Sequence, residues 1–329
     1  MQPQCLLTLC SHVYARHTRA ARILCNTFRN STQAASKHLK EDAKGSNMDT
    51  TIMAHSDPST YIFELGGPLL LTAPHGIALW RGGWVGFKKE KHLDEVLVSE
   101  IVLKLAKRMS TVFGVPASFM VWNVPRTRPY DERNLDPNFL PKELFGLSPW
   151  HQALESFRSY GCDVKLPILH VDIHGKRDRK SDLALDVGMG GMKAYWKDKE
   201  MVTKLRKGFE ESFTNMLGPV GIVKNGMPFT VDMDPEMSGF RLDRSVFTLS
   251  TQSAMLGIPS VQLEIPKTMR QKLNEDDDFL LKFADCIMHV FEQGICQGAL
   301  PSRDWYSSHC RTPATDIDRV LMELKQHQQ

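Results

Sequence analysis

Cysteine pairs, long apolar runs and early acidic residues are what this 329-residue sequence lacks. Its seven cysteines form no C-x-x-C pair, so neither a disulfide framework nor a cysteine zinc site is indicated, and a reducing compartment fits best. No stretch approaches the roughly 18 consecutive apolar residues of a membrane span. Basic residues in the later part of the chain are interleaved with acidic ones, which argues against a nucleic-acid partner.

The first 40 residues carry six arginines and lysines and no acidic residue, whereas the remaining sequence has 35 basic residues against 38 acidic ones. A leader rich in Arg, Ser and Thr is typical of an organelle transit peptide. We therefore predict that residues 1–57 form a leader that directs the protein to the mitochondrion or another organelle. Without such targeting, we expect a cytoplasmic location. The alternatives are an untargeted basic tail and an extension that precedes a start at Met48 or Met53.

From about residue 60, short apolar runs alternate with helical periodicity, which predicts an α/β fold. The runs "YIFELG" and "PLLLTAPHG" suggest two paired strands joined at Gly66-Gly67. We predict one catalytic α/β domain over residues 58–300, followed by a C-terminal loop and helix over 301–329. Further strands are predicted at 119–124, 168–175, 183–189, 229–234 and 260–266, and helices at 91–109, 149–159, 197–217, 275–293 and 315–326.

Three polar residues interrupt the apolar strand "LPILHVDIHGK" of residues 166–176. Because successive side chains of a strand point to opposite faces, His170, Asp172 and His174 share one face. The strand is predicted to end at Gly175, and ligands of open α/β sheets usually bind beyond the carboxyl ends of the strands. His174 and Asp172 are therefore candidate functional residues, and His170, deeper in the strand, is predicted to be structural.

His75, in "PHG", also follows a strand, so two imidazoles can meet above the sheet and begin a zinc site. The third ligand is sought in "KHLDEVLVSEIVLKLAKR", which predicts a helix with one apolar, inward-facing side. Asp94 lies on that same side, one turn before the apolar residues. Helix capping is the alternative role of Asp94. Asp131 and Glu132 are the other candidates for the third ligand.

Glu264 interrupts the apolar strand "VQLEIP". A nearly buried carboxylate beside a metal site is typical of a general base, which takes a proton from water and returns it to the leaving group. The alternative is a salt bridge with Arg270 or Arg244. Arginine forks bind carboxylates, so the loop with Arg126, Arg133 and Asn134 predicts a small anionic substrate, with Arg244 a weaker candidate; a solvated loop is the alternative.

Taken in order, several short motifs resemble those of the N-formylglutamate amidohydrolase family. They are "PHG" at 74–76, "DERNLDP" at 131–137, "WHQAL" at 150–154, "DIHGK" at 172–176, "LALDVG" at 183–188, "NGMPF" at 225–229 and "VQLEIP" with Arg270. The resemblance implies a phosphorylase/hydrolase-like fold, in which three α/β/α layers surround a mixed, largely parallel sheet. It covers about residues 60–295.

The resemblance also implies an enzyme that hydrolyses the amide of a small N-acyl amino acid, such as N-formylglutamate, with water that a zinc ion activates. It makes His75, Asp94 and His174 the metal ligands and Glu264 the base, with Asp172 beside them, although other divalent ions also suit such ligands. Asn134 and a neighbouring arginine would hold the substrate carboxylate. The alternatives are a zinc carboxypeptidase acting on a C-terminal peptide bond and an inactive binding module.

Overall fold

Strands alternate with helices along residues 58–83, 87–233, 245–297 and 315–327, the parts of the chain that a computed structural model describes. The strands are β1 (Tyr61–Glu64), β2 (Leu69–Ala73), β3 (Leu79–Arg81), β4 (Glu90–His92), β5 (Ala117–Trp122), β6 (Leu169–Lys176), β7 (Leu183–Gly188), β8 (Ile222–Lys224), β9 (Met227–Met233) and β10 (Ser260–Pro266). The helices are α1 (Val98–Arg108), α2 (Pro149–Val164), α3 (Gly190–Tyr195), α4 (Lys199–Leu217), α5 (Leu249–Met255), α6 (Lys267–Glu275), α7 (Asp277–Val290) and α8 (Ile317–His327).

Eight of these strands form a mixed sheet in the order β1-β5-β2-β6-β10-β7-β9-β8. Strands β5, β2, β6 and β10 run parallel to one another, as do β7 and β9. Strands β1, β7 and β8 pair antiparallel with β5, β10 and β9. The predicted mixed, largely parallel sheet is therefore confirmed, and β3 and β4 form a separate two-stranded ribbon.

The two faces of the sheet are covered by different helices. Alternate β2 residues show this division, because Leu69 and Leu71 pack with α1, α4 and α7, whereas Leu70 packs with α2 and α5. Strands buried on both faces are expected to be apolar throughout, as β2 is. Helices on both faces of a central sheet confirm the predicted α/β/α layering.

Strands β1 and β2 are not paired with each other as the sequence suggested. Strand β5 lies between them, and the link through Gly66 and Gly67 crosses over its first residues. The backbone N–H groups of both glycines donate to Ser118 Oγ over 3.1 Å. A Cβ on Gly67 would lie 1.5 Å from the carbonyl oxygen of Pro116, so the crossing requires glycine at that position.

Two predicted boundaries near the candidate site also differ from the structure. Helix α1 begins at Val98 rather than near residue 91, because Leu97 has a left-handed backbone (φ 73°) that starts the helix abruptly. Asp94 therefore precedes the helix instead of lying in its first turn. Strand β6 continues through Gly175 to Lys176, since both residues pair with β10.

Several sequence predictions fall outside the described residues: the leader at 1–57, Arg244, and the loop of residues 301–314. Helix α8, by contrast, lies in the described part and buries Val320 and Leu324 in the core that contains α1. None of the helices in the described ranges combines the length and apolar character that crossing a bilayer requires.

Candidate metal centre

The loop after β2 fixes His75 at the carboxyl end of the sheet. The indole Nε1 of Trp122, at the end of the neighbouring strand β5, donates to the carbonyl oxygen of Pro74 over 2.7 Å. The His75 carbonyl in turn accepts from the backbone N–H of Glu95 at 2.9 Å. These contacts bring the segment before α1 against the Pro-His-Gly turn, and they place Glu95 beside His75.

His75, Glu95 and His174 converge on one point. His75 Nδ1 lies 2.8 Å from Glu95 Oε1, and His174 Nδ1 lies 3.2 Å from Glu95 Oε2. The two Nδ1 atoms are 3.1 Å apart. Both imidazoles are buried and Glu95 is 11% exposed, so three potential ligand side chains meet in a nearly closed site.

Buried carboxylates orient both histidines from behind. His75 Nε2 lies 3.0 Å from Asp136 Oδ1, and His174 Nε2 lies 3.1 Å from Asp172 Oδ2. Because a carboxylate only accepts, the Nε2 of each ring donates to the carboxylate behind it, whereas Nδ1 faces Glu95 and would give up its proton to bind an ion. Carboxylate–histidine pairs of this kind fix the tautomer and ring orientation of metal-binding histidines. Asp172 is therefore placed to orient His174.

The cluster has the dimensions of a metal site. A tetrahedral ion with ligand bonds of about 2.0–2.1 Å holds neighbouring ligand atoms about 3.3 Å apart, close to the three distances above. His92 offers a different third ligand with His75 and Glu95, since its ring centroid lies 4.0 Å from that of His75. Its Nε2 lies 3.4 Å from Glu95 Oε1, a similar distance, but His92 is 23% exposed, whereas His174 is buried with Asp172 behind it, so we assign His174 as the third ligand. The described residues thus include a His/His/Glu cluster that can hold a metal ion.

The charges of the cluster suit a cation. Burial by itself would lower the pKa of His75 and of His174, but the carboxylates around them outweigh it and raise both pKa values. Burial likewise opposes ionisation of Glu95, yet the two imidazoles hold its pKa well below the usual range. The carboxylates therefore stabilise a positive charge on each of the two imidazoles. One divalent ion that displaced the two protons would bring the same total charge.

Glu264 lies on β10 in register with His174 on β6, and its side chain is buried. Its Oε1 accepts from Gln262 Nε2 at 2.8 Å, whereas its Oε2 has no hydrogen-bond partner among the described residues. Burial raises the pKa of Glu264 to about 7, and the negative charge of Glu95 adds to this effect. A carboxylate with a free oxygen and such a pKa can exchange protons near neutral pH.

The other carboxylates considered from the sequence lie away from this point. Asp94 is exposed, and its neighbour Glu95 reaches the histidines instead. Asp131 is engaged with Arg133, and the exposed Glu132 pairs with Lys89. Helical periodicity favoured Asp94 over Glu95. The helix starts only at Val98, after both of these residues, so the periodicity does not apply to them.

The predicted substrate-binding residues have different surroundings. Arg133 is 55% exposed and bound to Asp131, while Asn134 is buried two residues before Asp136. Arg126 lines a separate surface pocket of about 530 Å³ together with Arg319 and Glu323. Arg244 lies outside the described residues. Asn134 therefore shares a loop with Asp136, which contacts His75, whereas Arg126 lies at the separate pocket.

The sequence interpretation missed three residues that the structure places at the site. Glu95 directly follows Asp94, the residue that the sequence favoured as the third ligand, and it lies three positions after His92. Asp136 lies inside the "DERNLDP" motif, where its contact with His75 leaves no local signal. Arg81 also binds Asp136, with its Nε donating over 2.8 Å, and it belongs to the ribbon strand β3.

The fold and this cluster define a three-layer α/β/α protein with a buried centre suited to a metal ion.

No protein-family model and no curated protein matches the chain. Among solved structures it is similar to gene product Atu2144 from Agrobacterium tumefaciens, at 11% identity over 73% of this chain and 95% of that one (TM-score 0.36). It is also similar to the N-acetylmuramyl-L-alanine amidase Ami1 from Mycobacterium smegmatis, at 11% identity over 71% and 99% (TM-score 0.35). The LapA aminopeptidase of Legionella pneumophila matches at 9% identity over 82% and 63% (TM-score 0.30). These similarities are too distant to assign an activity.

Proposed function

We propose that this protein is a metal-dependent hydrolase of the C–N amide bond in small N-acyl amino acids. Zinc is the first ion to test, because two imidazoles and a carboxylate with an open position form a common catalytic zinc set. N-formylglutamate is the first substrate to test. The observation that carries the proposal is the convergence of His75, Glu95 and His174 beside Glu264, which has a free carboxylate oxygen.

In this proposal, some residues bind the metal ion and another transfers a proton. His75 Nδ1, His174 Nδ1 and Glu95 would hold the ion, while Asp136 and Asp172 keep the rings turned toward it. When bound, a divalent ion polarises an amide carbonyl and makes a water molecule more acidic. Burial of the five side chains restricts bulk water, which strengthens their electrostatic effects.

Glu264 is the proton carrier of this proposal. Its Oε2 would accept a proton from the attacking water and deliver it to the amide nitrogen as the C–N bond breaks. The carboxylate gains one proton in the first step and loses it in the second, so it returns to its starting state. Gln262 holds the other oxygen at 2.8 Å and thereby limits the rotation of the carboxylate.

The first experiment combines elemental analysis with an amide panel. We expect about one metal ion per chain and hydrolysis of at least one compound among N-formyl amino acids, N-acetyl amino acids and dipeptides. His75→Ala and His174→Ala should lose the metal and the activity. Glu264→Gln should keep the metal and lower kcat by roughly 10²- to 10⁴-fold, the usual contribution of a general acid–base group.

Matched substitutions on the surface serve as controls. His289 on α7 and Glu210 on α4 are exposed, so His289→Ala and Glu210→Gln should leave metal content and rates unchanged. Turnover by metal-free protein would contradict the metal-dependent mechanism. Metal binding without turnover of any compound would favour the binding module, and cleavage restricted to dipeptides would favour the carboxypeptidase.

A further inference from the structure

Arg270 is a buried cation beside the candidate metal centre. It belongs to α6, immediately after β10, and is only 6% exposed. Its Nη1 donates to the carbonyl oxygen of Ile265 over 3.1 Å, and its Nε has no hydrogen-bond partner among the described residues. A guanidinium has five N–H donors, so the contacts in the described part of the chain leave donor capacity unused.

Gly175 places this guanidinium next to the metal centre. A Cβ on Gly175 would lie 1.5 Å from Arg270 Nη1, so the guanidinium occupies the space that any other residue's side chain would need. Gly175 directly follows His174, and its backbone N–H donates to Glu95 Oε2 over 2.8 Å. Arg270 thus packs against a residue bonded to two proposed ligands, one through the chain and one through this hydrogen bond.

Other arginines around the site already have carboxylate partners. Arg81 binds Asp136, Arg133 binds Asp131, and Arg179 binds Asp186. For Arg270, the described residues provide no carboxylate within ion-pair distance, although Glu95, Glu264 and Asp178 lie close enough to influence its charge. Asp178 is itself engaged with Lys224 and Thr268.

A buried charge without a paired ion is costly to the fold. The cost is offset when a ligand supplies the missing anion, and a carboxylate matches the planar fork of a guanidinium. A neutral carbonyl oxygen would accept a hydrogen bond but would leave the charge unbalanced. The arrangement at Arg270 therefore suits a carboxylate better than a neutral amide.

We propose that Arg270 binds the α-carboxylate of the substrate, an inference that rests on the proposed amidohydrolase function. It defines the substrate class as N-acyl amino acids with a free carboxylate close to the scissile amide. It also moves the anionic subsite from Arg133 and Arg126, the residues expected from the sequence, to the start of α6.

The test measures binding separately from turnover. Calorimetry would compare N-formyl-L-glutamate with its α-carboxamide, using metal-loaded protein that carries Glu264→Gln to prevent hydrolysis. We expect the carboxylate to bind roughly 10- to 100-fold more tightly, the range of one charge-assisted hydrogen-bonded pair. Arg270→Met should abolish this preference, and Arg270→Lys, which keeps the charge but loses the fork, should retain part of it.

Two further arginines make the result specific. Arg133→Met tests the subsite expected from the sequence, and Arg158→Met removes an exposed arginine of α2 as a matched control. Both should keep the carboxylate preference. Metal content verifies that each variant is folded at the site, and Arg270→Lys provides the answer if Arg270→Met does not fold.

The proposal is overturned if the carboxylate preference survives in Arg270→Met or Arg270→Lys at full size, or disappears in Arg133→Met instead. Equal binding of both compounds to the parent protein, or binding of neither, would also overturn it. Failure of the proposed function has a different signature, since it is the absence of amide turnover in the protein with Glu264 intact. The two failures can therefore be told apart.

Discussion

Three polar residues on one face of β6 have three different surroundings. His174 meets His75 and Glu95, Asp172 lies behind His174, and His170 lies deeper in the sheet. His170 Nε2 contacts Thr72 Oγ1 at 2.8 Å, and its Nδ1 contacts Ser253 Oγ at 2.7 Å. Since the Thr72 hydroxyl donates to Asp172, it accepts from His170, and the Ser253 hydroxyl can donate to Nδ1 only when the ring is neutral.

His170 should therefore make the fold sensitive to acid. Burial lowers its pKa from 6.5 to about 4, although Asp172 opposes the shift and His174 adds to it. Between these pH values the unfolded chain binds a proton that the folded chain does not, so stability is present above pH 6.5 and decreases toward pH 4. The shift of about 2.5 units corresponds to about 3 kcal/mol.

We expect the unfolding free energy of the parent protein to fall by about 3 kcal/mol more than that of His170→Gln between pH 7 and pH 4. Urea unfolding of chelator-treated protein at several pH values would measure this difference. His289→Gln, a change at an exposed position of α7, serves as the control. Parallel pH curves for the parent and His170→Gln would contradict the assignment of a neutral, buried His170.

At the scale of elements, register explains the row of polar side chains across the sheet. Glu264 on β10 pairs with His174 on β6 and with Asp186 on β7, while Asp186 pairs with Asp232 on β9. The opposite face of these strands carries the apolar residues that pack on α1, α4 and α7. A shift of one residue in β10 would bury Glu264 in that apolar core, so the core fixes the register that the site requires.

Helix α3 crosses α5 at Gly191. A Cβ on Gly191 would lie 2.8 Å from the Cα of Thr251, a backbone atom that cannot rotate away. Gly191→Ala should gain about 1 kcal/mol of helix propensity but lose about 1–3 kcal/mol to overpacking, for a net loss of about 1 kcal/mol. Gly208→Ala in α4 is the matched control, because its Cβ would meet Val290 Cγ2 at 3.5 Å.

The control should raise the unfolding free energy by roughly 0.5–1 kcal/mol, since only the propensity gain applies there. Denaturant unfolding of both variants measures the two changes under the same conditions. Stabilisation by Gly191→Ala comparable to that of Gly208→Ala would show that the two helices tolerate a methyl group at their contact.

The local pattern of apolar and polar residues predicted most helices and strands and the polar face of β6. These features depend on residues that are neighbours in the sequence. The span Ser260–Pro266 was predicted as β10 has it. The pairing of β1 with β5, by contrast, joins residues that lie more than 50 positions apart. Glu95 and Asp136 reach the site through the fold of loops, for which the sequence has no periodicity. Helix α6 was missed because its polar composition obscures the apolar stripe of Met269 and Leu273.

At the scale of the whole molecule, the candidate centre joins distant parts of the chain. His75 follows β2, Glu95 precedes α1, and His174 lies near the end of β6 at the middle of the sheet. The unfolded chain does not hold these three residues together, so an ion bound by them binds the folded state preferentially. Metal binding and folding are then thermodynamically linked.

We therefore expect zinc to stabilise the fold and chelators to remove that stabilisation. Free zinc at about 100 times its Kd should raise the unfolding free energy by about 2.7 kcal/mol. Thermal or urea unfolding with and without the ion measures the effect. His174→Ala should abolish the zinc-dependent increase, whereas His92→Ala should retain it if His174 is the third ligand. Loss of the increase in His92→Ala alone would instead select the set formed by His75, His92 and Glu95.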